Sequence, residues 1–516
     1  MYPGHWASRA PDKVAVAMVG DDRVLTNREL ESRSRRLAQY WRRKGLCAGD
    51  HVAIMAENAP EYFEAYWAAM RSGLYFTPVN RYLHADEAAY ILGNSGAKSL
   101  VTTQALASVA AEALNHNPQC VHNLLIGDPP AGFEGYETAL AGERDEPLAH
   151  EPRGEVMVYS SGTTGRPKGI KRPLPAQTID QEYKPYTPVL RLLQKDEDTR
   201  LLITAPLYHI APLGHAVGAQ SFGGGVYCME KFEPEAALAA IERHRITHAY
   251  WVPTMFIRLL KLPDDVRRRY DISSLRVSIH TAAPCPVDIK KRMLAWFGPT
   301  IYEYYGGSEF TGLTWADPYD WLKRPGTVGK AVIGAVRICD DIGAEVAAGE
   351  TGTIYFENDI ASVRYHQDDD KTASVQHPEH AHWTTLGDVG YVDQEGWLFL
   401  TDRKTFMIIA GGVNIYPQEI EDCLIQHPAI EDVAVIGVPN PDFGEEVKAV
   451  VQLRSGIAAT PELAAEIVSF ARARIAHFKA PRTVDFVDEL PRLPTGKLYK
   501  RLLRDRYWAG HDSKLV

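Results

Sequence analysis

The chain has 516 residues, a net charge of −10 and a pI near 6.0, and 24% of its residues are charged. This length exceeds one ordinary hydrophobic core, so we expect two or three domains. The acidic balance, without a Lys/Arg-rich tract, argues against a nucleic-acid partner and against a polybasic membrane surface. No apolar run reaches the length of a membrane span, so we also expect no integral membrane segment.

Two further features of the sequence concern its compartment. Residues 1–6 lack the basic and apolar regions of a secretory signal peptide. The cysteines are scattered without a CxxC pair, which is typical of reduced thiols and not of a disulfide framework or a zinc site. They are Cys47, Cys120, Cys228, Cys285, Cys339 and Cys423. We therefore expect a cytoplasmic protein.

In chain order, the first part of the sequence alternates helical and strand patterns. Apolar residues at helical spacing predict a helix over 27–44, with Leu30, Leu37 and Trp41 on one face. Similar patterns predict helices over 60–71 and 233–244, and strands over 51–55, 99–103 and 248–252. This alternation is typical of βαβ units and predicts largely parallel sheets with helices on both faces.

Near residue 400 the pattern changes to a smaller α/β block. Here we predict helices over 417–427 and 461–477, and strands over 432–436 and 447–453. The predicted fold class is α/β, with a large N-terminal domain of parallel-rich sheets covered by helices and a small mobile α+β C-terminal domain. We place the N-terminal domain at 1–402, a hinge at 403–405 and the C-terminal domain at 406–516.

The segment 160–169, Ser-Ser-Gly-Thr-Thr-Gly-Arg-Pro-Lys-Gly, is the most informative part of the chain. It follows an apolar run over 156–159 that predicts a buried strand. Glycines let a backbone approach a ligand, and successive N–H groups form an anion-binding concavity, so the segment favours a nucleotide phosphate site. It lacks the spacing of a Walker A loop. The alternative is a flexible connection between a strand and a loop.

A second segment, 304–309, reads Tyr-Tyr-Gly-Gly-Ser-Glu. An aromatic ring can stack on a purine, and the two glycines allow close approach. Glu309 offers a carboxylate oxygen of the kind that Mg²⁺ takes from proteins. Alone, the segment is more typical of a tight turn that ends in a solvent-facing Glu.

A third pair of segments, 385–391 and 401–404, contains Asp388 and Arg403. A carboxylate that accepts two hydrogen bonds suits a ribose diol. The alternative is an Asp in a turn at a strand edge and an Arg in a surface ion pair.

Two segments of the smaller block are rich in glycine or proline. The first, 409–421, has Gly411 and Gly412 before a helix that begins at Pro417, a favoured first helical residue. The second, 493–497, ends in Lys497, which on a Pro/Gly turn would ordinarily be solvated.

Together, these segments resemble the signatures of the adenylate-forming enzymes, which comprise acyl-CoA synthetases, adenylation domains and beetle luciferases. The resemblance extends from Arg9 to Lys497 and follows the family's order and spacing. It implies ATP, Mg²⁺ and coenzyme A as cofactor and co-substrates and a small carboxylic acid as substrate. In the implied reaction, the carboxylate attacks the α-phosphate of ATP, and the CoA thiol then attacks the acyl-adenylate. Two orientations of the small domain would serve these half-reactions.

The resemblance also implies roles for individual residues. Residues that bind ATP or AMP would be Ser161, Gly162, Thr163, Thr164, Gly165, Lys168, Ala282, Ala283, Pro284, Tyr304, Tyr305, Gly306, Gly307, Ser308, Asp388 and Arg403. The catalytic residues would be Lys497, His209 and Glu309, and the metal ligands Thr164 and Glu309. Gly411 and Gly412 would line the CoA tunnel, and Thr405 would be the hinge. The acyl pocket would contain Tyr208, His209, Leu213, Gly214 and Gly306.

The sequence after His209 bears on the substrate. Amino-acid adenylation domains carry an Asp just past this position, whereas this chain has Ile210, Ala211 and Pro212. That difference argues against an amino acid and for a fatty, aryl or polycyclic carboxylic acid. Small residues over 210–219 would leave room for a bulky apolar group, although they equally permit close helix packing.

Four alternatives concern the activity and the assembly. An acyl-AMP ligase that loads a carrier protein often has an insertion near the domain junction, for which the spacing from Asp388 to Asp402 leaves no room. A luciferase-like oxygenase would share the nucleotide motifs. A non-catalytic nucleotide sensor would be expected to lack Lys497 or Glu309. A homodimer is left open.

One departure and three other clusters complete the prediction. The hinge position, usually Asp or Lys in the family, is aligned with Thr405 and followed by Phe406. The segment 442–444, Asp-Phe-Gly, lacks the catalytic loop of a kinase and is interpreted as a structural turn. His377, His380 and His382 are interpreted as solvent-facing residues of a loop, and 368–370, three aspartates, as a solvated turn.

Overall fold

The computed structural model describes residues 2–160, 167–182, 191–358, 364–403, 406–410, 413–440, 443–492 and 498–509. The chain forms two compact units. The first unit contains Met1–His280, Trp296–Tyr302 and Val363–Ala373, and the second unit contains Thr281–Ala295, Glu303–Ser362 and Ser374–Val516. The predicted hinge at 403–405 falls within the second unit and stays a prediction.

The helices of the described residues are α1 (Pro3–Arg9), α2 (Asn27–Arg43), α3 (Pro60–Arg71), α4 (Ala85–Ser95), α5 (Ala107–Asn115), α6 (Tyr136–Ala141), α7 (Ile210–Ser221), α8 (Pro234–His244), α9 (Pro253–Leu260), α10 (Asp264–Arg269), α11 (Val287–Phe297), α12 (Pro318–Lys323), α13 (Asp369–Ser374), α14 (Pro417–Leu424), α15 (Pro461–Arg472) and α16 (Lys500–Trp508).

The strands are β1 (Val14–Val19), β2 (Val24–Thr26), β3 (His51–Met55), β4 (Tyr75–Pro78), β5 (Ala97–Thr103), β6 (Leu124–Ile126), β7 (Glu134–Gly135), β8 (Glu155–Val156), β9 (Val158–Ser160), β10 (Lys168–Ile170), β11 (Arg200–Ile203), β12 (Gly225–Met229), β13 (His248–Trp251), β14 (Val277–His280), β15 (Ile301–Tyr305), β16 (Leu313–Ala316), β17 (Thr327–Ile333), β18 (Ala335–Cys339), β19 (Gly352–Glu357), β20 (Trp383–Val392), β21 (Leu398–Arg403), β22 (Ile408–Ala410), β23 (Val413–Ile415), β24 (Ile430–Asn440), β25 (Gly444–Leu453) and β26 (Thr483–Val487).

The first unit contains two sheets rich in parallel strands. One has the order β7-β6-β5-β3-β4-β8, and every pairing in it is parallel. The other runs β14-β13-β11-β12-β1-β2 and is parallel except where β2 meets β1. The interior strands are buried along most of their length, as expected for strands covered on both faces. The predicted parallel-rich fold is confirmed.

Helix α2 shows how the local sequence determines an element of this unit. Thr26 caps its first turn: the Glu29 N–H donates to the Thr26 hydroxyl, and the Glu29 carboxylate accepts from the Thr26 N–H. This capping box satisfies donors that the first turn leaves unpaired. The predicted face of Leu30, Leu37 and Trp41 is buried.

The second unit is built differently. Its larger sheet, β18-β19-β20-β21-β17-β16-β15, is antiparallel throughout. The small C-terminal domain has a separate sheet, β23-β22-β25-β24, with β26 parallel to β25. Ile420 and Leu424 of α14 and Ile467 of α15 pack in the core of that domain.

Several predicted elements end earlier than expected. The helix predicted over 417–427 stops at Leu424, before Pro428, which disfavours a helical conformation at His427. The helix predicted over 461–477 stops at Arg472, where the chain turns before β26. The single strand predicted over 156–159 is divided: β8 pairs with β4, whereas β9 pairs with β10. An apolar run indicates that a segment is buried, but it does not indicate which sheet each residue joins.

Candidate active site

A hairpin of the first unit brackets the predicted phosphate segment. Strands β9 and β10 pair antiparallel, with Ser160 opposite Lys168 and Tyr159 opposite Gly169. The predicted nucleotide residues Ser161, Gly162, Thr163, Thr164 and Gly165 lie between these strands, outside the described residues. The hairpin therefore fixes the two ends of the segment.

Lys168 forms an ion pair with Asp368. The Asp368 carboxylate also accepts a hydrogen bond from the Lys371 N–H at 2.9 Å, at the start of α13. The hydrogen bond from Lys168 lowers the pKa of Asp368. The prediction that 368–370 is only a solvated turn is therefore wrong for Asp368, whose partner lies 200 residues earlier in the chain.

The segment before α7 carries the predicted acyl-pocket residues Tyr208 and His209. Asn58, which is 4% exposed, accepts from the Leu207 N–H at 2.8 Å and donates to the carbonyls of Ala205 and Met229 at 3.1 and 2.8 Å. One amide side chain thus fixes the backbone path of this segment. The sequence analysis missed Asn58, because an Asn that follows a strand gives no local sign of a distant partner.

The predicted acyl-pocket residues of the first unit lie close together. His209 is the N-cap of α7, and its ring centroid is 4.3 Å from that of Tyr208. Tyr208 and Leu213 are buried, and burial raises the pKa of Tyr208. A Cβ atom placed on Gly214 would have no neighbouring atom within 4 Å outside α7, although most of α7 is buried.

In the second unit, two of the predicted nucleotide segments are joined directly. The Thr281 hydroxyl donates to the Tyr304 carbonyl at 2.9 Å. The predicted nucleotide residues Ala282, Ala283 and Pro284 follow Thr281 in the chain. Ala282 has a φ of 76°, a left-handed conformation that is unfavourable for a residue with a Cβ. Strain of this kind persists only where the surrounding structure enforces it.

The segment 304–309 turns sharply as β15 ends. A Cβ on Gly306 would lie 2.9 Å from the Gly312 carbonyl oxygen, so this position requires glycine. A Cβ on Gly307 would lie 2.6 Å from a carboxylate oxygen of Glu309, which places that carboxylate over the glycine. Ser308 and Glu309 are partly exposed in this turn.

Tyr305 and Asp388 meet in the same unit. The Tyr305 hydroxyl donates to the Asp388 carboxylate at 2.7 Å, and Asp388 is 6% exposed. The Tyr305 ring is stacked with that of Phe356, with centroids 6.0 Å apart. Arg403 pairs with Asp388 through the backbone of β20 and β21. The structure thus joins an aromatic ring and a buried carboxylate that the sequence analysis assigned to one nucleotide.

Beneath these segments lies an ion pair that the sequence analysis missed. Lys290 of α11, 0% exposed, contacts the carboxylate of Glu303 on β15 at 2.5 Å, and its ammonium lies 4.6 Å from the Trp321 ring centroid. Burial raises the pKa of Glu303, and Lys290 partly opposes that shift. The pair connects the helix after Pro284 to the strand before Tyr304.

Other predicted residues lie outside the described part of the chain, and one cluster differs from its prediction. Lys497, Thr405, Gly411 and Gly412 are outside the described residues, as is Asp442 of the Asp-Phe-Gly turn. His377 is buried, and not solvent-facing as predicted: its Nε2 lies 2.8 Å from the Gly343 carbonyl oxygen. Its Nδ1 accepts hydrogen bonds from two backbone N–H groups that follow it in the chain.

Two kinds of feature are absent from the described residues. They contain no group of three or more His, Cys, Asp or Glu residues placed to bind a metal ion. Among their helices, none combines the length and the apolar character that crossing a membrane requires.

Comparisons with known proteins agree with this geometry. The model of the AMP-binding enzyme family matches residues 4–366, and that of the AMP-binding enzyme C-terminal domain matches residues 419–497. A feruloyl-CoA synthase from an Amycolatopsis species is 32% identical over 515 residues, covering 98% of each chain. A fatty acid–[acyl-carrier-protein] ligase from Streptomyces coeruleorubidus is 29% identical, covering 97% of this chain and 95% of that protein.

A solved structure gives the same result for the fold. ATP-bound MatB from Rhodopseudomonas palustris superposes with a TM-score of 0.82 at 29% identity, covering 99% of each chain. The sequence and structural matches both extend over nearly the whole chain. The protein belongs to the AMP-binding enzyme family, within the adenylate-forming superfamily of acyl-CoA synthetases and their relatives.

Proposed function

We propose that this protein is an AMP-forming, ATP-dependent carboxylate–CoA ligase of the cytoplasm. It adenylates a hydrophobic acid, fatty, aryl or polycyclic, to acyl-AMP and pyrophosphate. It then transfers the acyl group to coenzyme A and releases AMP. The observation that carries the proposal is the contact of Tyr305 with Asp388, 83 residues apart in the chain, because it places a ring and a buried carboxylate together where an adenosine requires both.

Each nucleotide residue then has a physical task. The Asp388 carboxylate accepts hydrogen bonds from the ribose diol, and Tyr305 stacks on the adenine while its hydroxyl holds that carboxylate in position. The turn at Gly306 brings backbone N–H groups close to the ligand, since a side chain there would strike the Gly312 carbonyl. Lys168 and the segment 161–165 receive the phosphates.

Adenylation needs a cation at the reacting phosphorus. The substrate carboxylate forms a bond to the α-phosphorus, and the bond from that phosphorus to pyrophosphate breaks. Negative charge accumulates on the phosphoryl oxygens, and Lys497 stabilises it. Losing one such contact typically reduces the rate about 100- to 1000-fold.

The residues present also fit a magnesium ion. Glu309 supplies a carboxylate oxygen over a glycine turn, which is the hard donor that Mg²⁺ prefers. Glu309 and Thr164 would hold the ion, which when bound neutralises part of the phosphate charge.

The second half-reaction uses the C-terminal domain. Rotation about the hinge at 403–405 withdraws Lys497 and brings Gly411 and Gly412 against the large domain to line the path of the CoA thiol. A hinge needs only backbone angles that tolerate both states, so Thr405 can serve in place of the more usual Asp or Lys.

The first experiment is mass spectrometry of the products after incubation with MgATP and a panel of carboxylic acids, with and without CoA. We expect acyl-CoA and AMP only in the reactions that contain CoA. Acyl-adenylate that accumulates equally with and without CoA would contradict CoA as acceptor and favour the carrier-protein alternative. No acyl product from any acid would refute the ligase.

The second experiment separates the two half-reactions. Lys497→Ala should reduce adenylation by about 100-fold or more and leave thiolation of supplied acyl-adenylate nearly unchanged. Lys323→Ala is the matched control, because that lysine side chain is 68% exposed on α12. Equal loss of both steps in the Lys497 variant would overturn its assigned role.

A further inference from the structure

A buried lysine lies beneath the helix that carries the predicted acyl-pocket residues. Lys195 is 6% exposed, and its ammonium donates to the His215 carbonyl of α7 at 2.7 Å and lies 3.5 Å from Nδ1 of the same residue. Over the described ranges, no carboxylate forms an ion pair with Lys195. Burial lowers the pKa of Lys195 to about 7, because desolvation disfavours the charged form.

Two strand residues complete the polar cluster around this lysine. His248 and Tyr250 alternate along β13 and so lie on one face of the sheet. The ring of His215 is 5.3 Å from that of Tyr250, so α7 covers this same face. The Nε2 atom of His248 lies 2.9 Å from the Leu193 carbonyl oxygen. Lys195, His215 and His248 therefore form a buried polar patch beside α7.

The position of the patch relative to His209 suggests its use. His215 lies six positions after His209, which corresponds to about 9 Å along a helix axis. Between them, Gly214 of α7 is partly exposed, and a Cβ atom there would meet no atom within 4 Å outside the backbone of α7 itself. A substrate with its reacting carboxylate at His209 would therefore extend past Gly214 towards the patch.

We propose that Lys195 and His215 form the far end of the acyl pocket and bind an oxygen acceptor on the substrate, about 9 Å from the carboxyl group that reacts. The acceptor is a phenolic hydroxyl or a second carboxylate. This inference rests on the proposed function and narrows its substrate class to acids with a polar far end. An ammonium has three donors, and the His215 carbonyl uses one of them, so Lys195 can also donate to a ligand oxygen.

A purely structural lysine is the competing interpretation. A lysine that only supports α7 would contribute equally to the binding of every acid. A lysine that binds the substrate oxygen would favour acids that carry that oxygen over otherwise identical acids that lack it. The two interpretations therefore differ in a ratio of specificities, which a general loss of folding does not change.

The test compares matched acids on wild type, Lys195→Met, Lys195→Arg and the control Lys231→Met, an exposed lysine of the same unit. The first pair is 4-hydroxycinnamate and cinnamate, and the second is octanedioate and octanoate. We expect kcat/KM of wild type to favour the acid with the far oxygen about tenfold or more in one pair, as for one charge-assisted hydrogen bond. Lys195→Met should abolish this preference by lowering kcat/KM more for the acid with the far oxygen than for the plain acid, whereas Lys195→Arg should retain part of it.

Calorimetric titration of the same acids, without ATP or CoA, keeps this test independent of the ligase activity. A Kd ratio that favours the acid with the far oxygen and disappears in Lys195→Met supports the pocket even where no acyl-CoA forms. Preference in the phenol pair assigns a hydroxyl, and preference in the other pair assigns a second carboxylate. No preference in either pair, or an equal loss for both members of a pair in Lys195→Met, overturns the inference.

Discussion

Two buried lysines of this protein differ in what neutralises them. Lys290, in the second unit, has a carboxylate partner in Glu303 and an aromatic ring nearby. Lys195, in the first unit, is bonded to a helix carbonyl and lies beside two histidines. Burying a paired charge serves the arrangement of the chain, whereas burying a cation without a carboxylate raises the free energy of the folded state. We therefore expect the partner of a buried lysine, and not its burial, to distinguish a lysine with a structural role from one that binds a ligand.

The largest expected effect tests the structural side of this comparison. Lys290→Met leaves the Glu303 carboxylate buried without its cation, so we expect a loss of about 3–5 kcal/mol in the free energy of unfolding. Denaturant titration measures it. The double variant Lys290→Met, Glu303→Leu should recover most of the loss. A single variant as stable as wild type would show that the pair does not organise the segments before and after it.

The second effect has the opposite sign. The pKa of Lys195 is lower in the folded chain than in the unfolded chain, so the unfolded state binds more protons between about pH 7 and 10 and stability rises with pH there. Lys195→Met removes the cation, and we expect it to be more stable than wild type by about 2–4 kcal/mol near pH 6.5. The difference should shrink towards pH 10. Chemical denaturation at both pH values measures it, and a difference that does not change with pH would contradict the assignment.

A smaller effect concerns a buried carboxylate with a neutral partner. Tyr305→Phe removes the hydroxyl that donates to Asp388 while it keeps the ring. We expect a loss of about 1–2 kcal/mol in the free energy of unfolding, because a buried carboxylate loses one of its donors. The KM for ATP should rise while the stacking ring keeps most of the affinity. Tyr319→Phe, at an exposed tyrosine of α12, is the control. An unchanged KM for ATP would indicate that Asp388 does not contact the nucleotide.

The smallest effect asks whether the backbone above the Lys290 pair is strained. Ala282 has a φ of 76°, which glycine adopts without penalty. Ala282→Gly relieves that strain but gives the unfolded chain more freedom, so we expect a change within about 1 kcal/mol, towards higher stability. Thermal unfolding of Ala282→Gly measures the change in stability, and Ala283→Gly is the control variant. A marked loss of stability would mean that the alanine methyl group contributes packing that outweighs the strain.

The sequence predicted local features well and distant partnerships poorly. Helix α2 was predictable because its capping residues Thr26 and Glu29 and its apolar face are all local. The division of residues 156–159 between two sheets was not predictable, since both halves are apolar and their partner strands lie in other parts of the sequence. Asp368 and Asn58 act through residues 200 and 149 positions away, and a single sequence records no such separation.

The candidate site shows the same limit. The sequence assigned Tyr305 and Asp388 to one nucleotide from motif order, and the structure places their side chains in contact. It gave no sign of Lys195, because a lysine among charged residues such as Asp196 and Glu197 predicts a solvated turn. Only the three-dimensional packing of α7 against the sheet shows that this lysine is buried.

The ion pair of Lys168 with Asp368 has a consequence for how a nucleotide would bind. Where a phosphate takes the place of the Asp368 carboxylate at Lys168, binding would be an exchange of one anion for another. Replacing a carboxylate by a phosphate changes the local charge less than binding a phosphate to an unpaired lysine. The affinity for the nucleotide should therefore vary less with ionic strength. The displaced carboxylate also remains nearby to take the lysine back, which speeds the departure of the products. The ion pair of Lys168 with Asp368 would thus weaken nucleotide binding and speed product release.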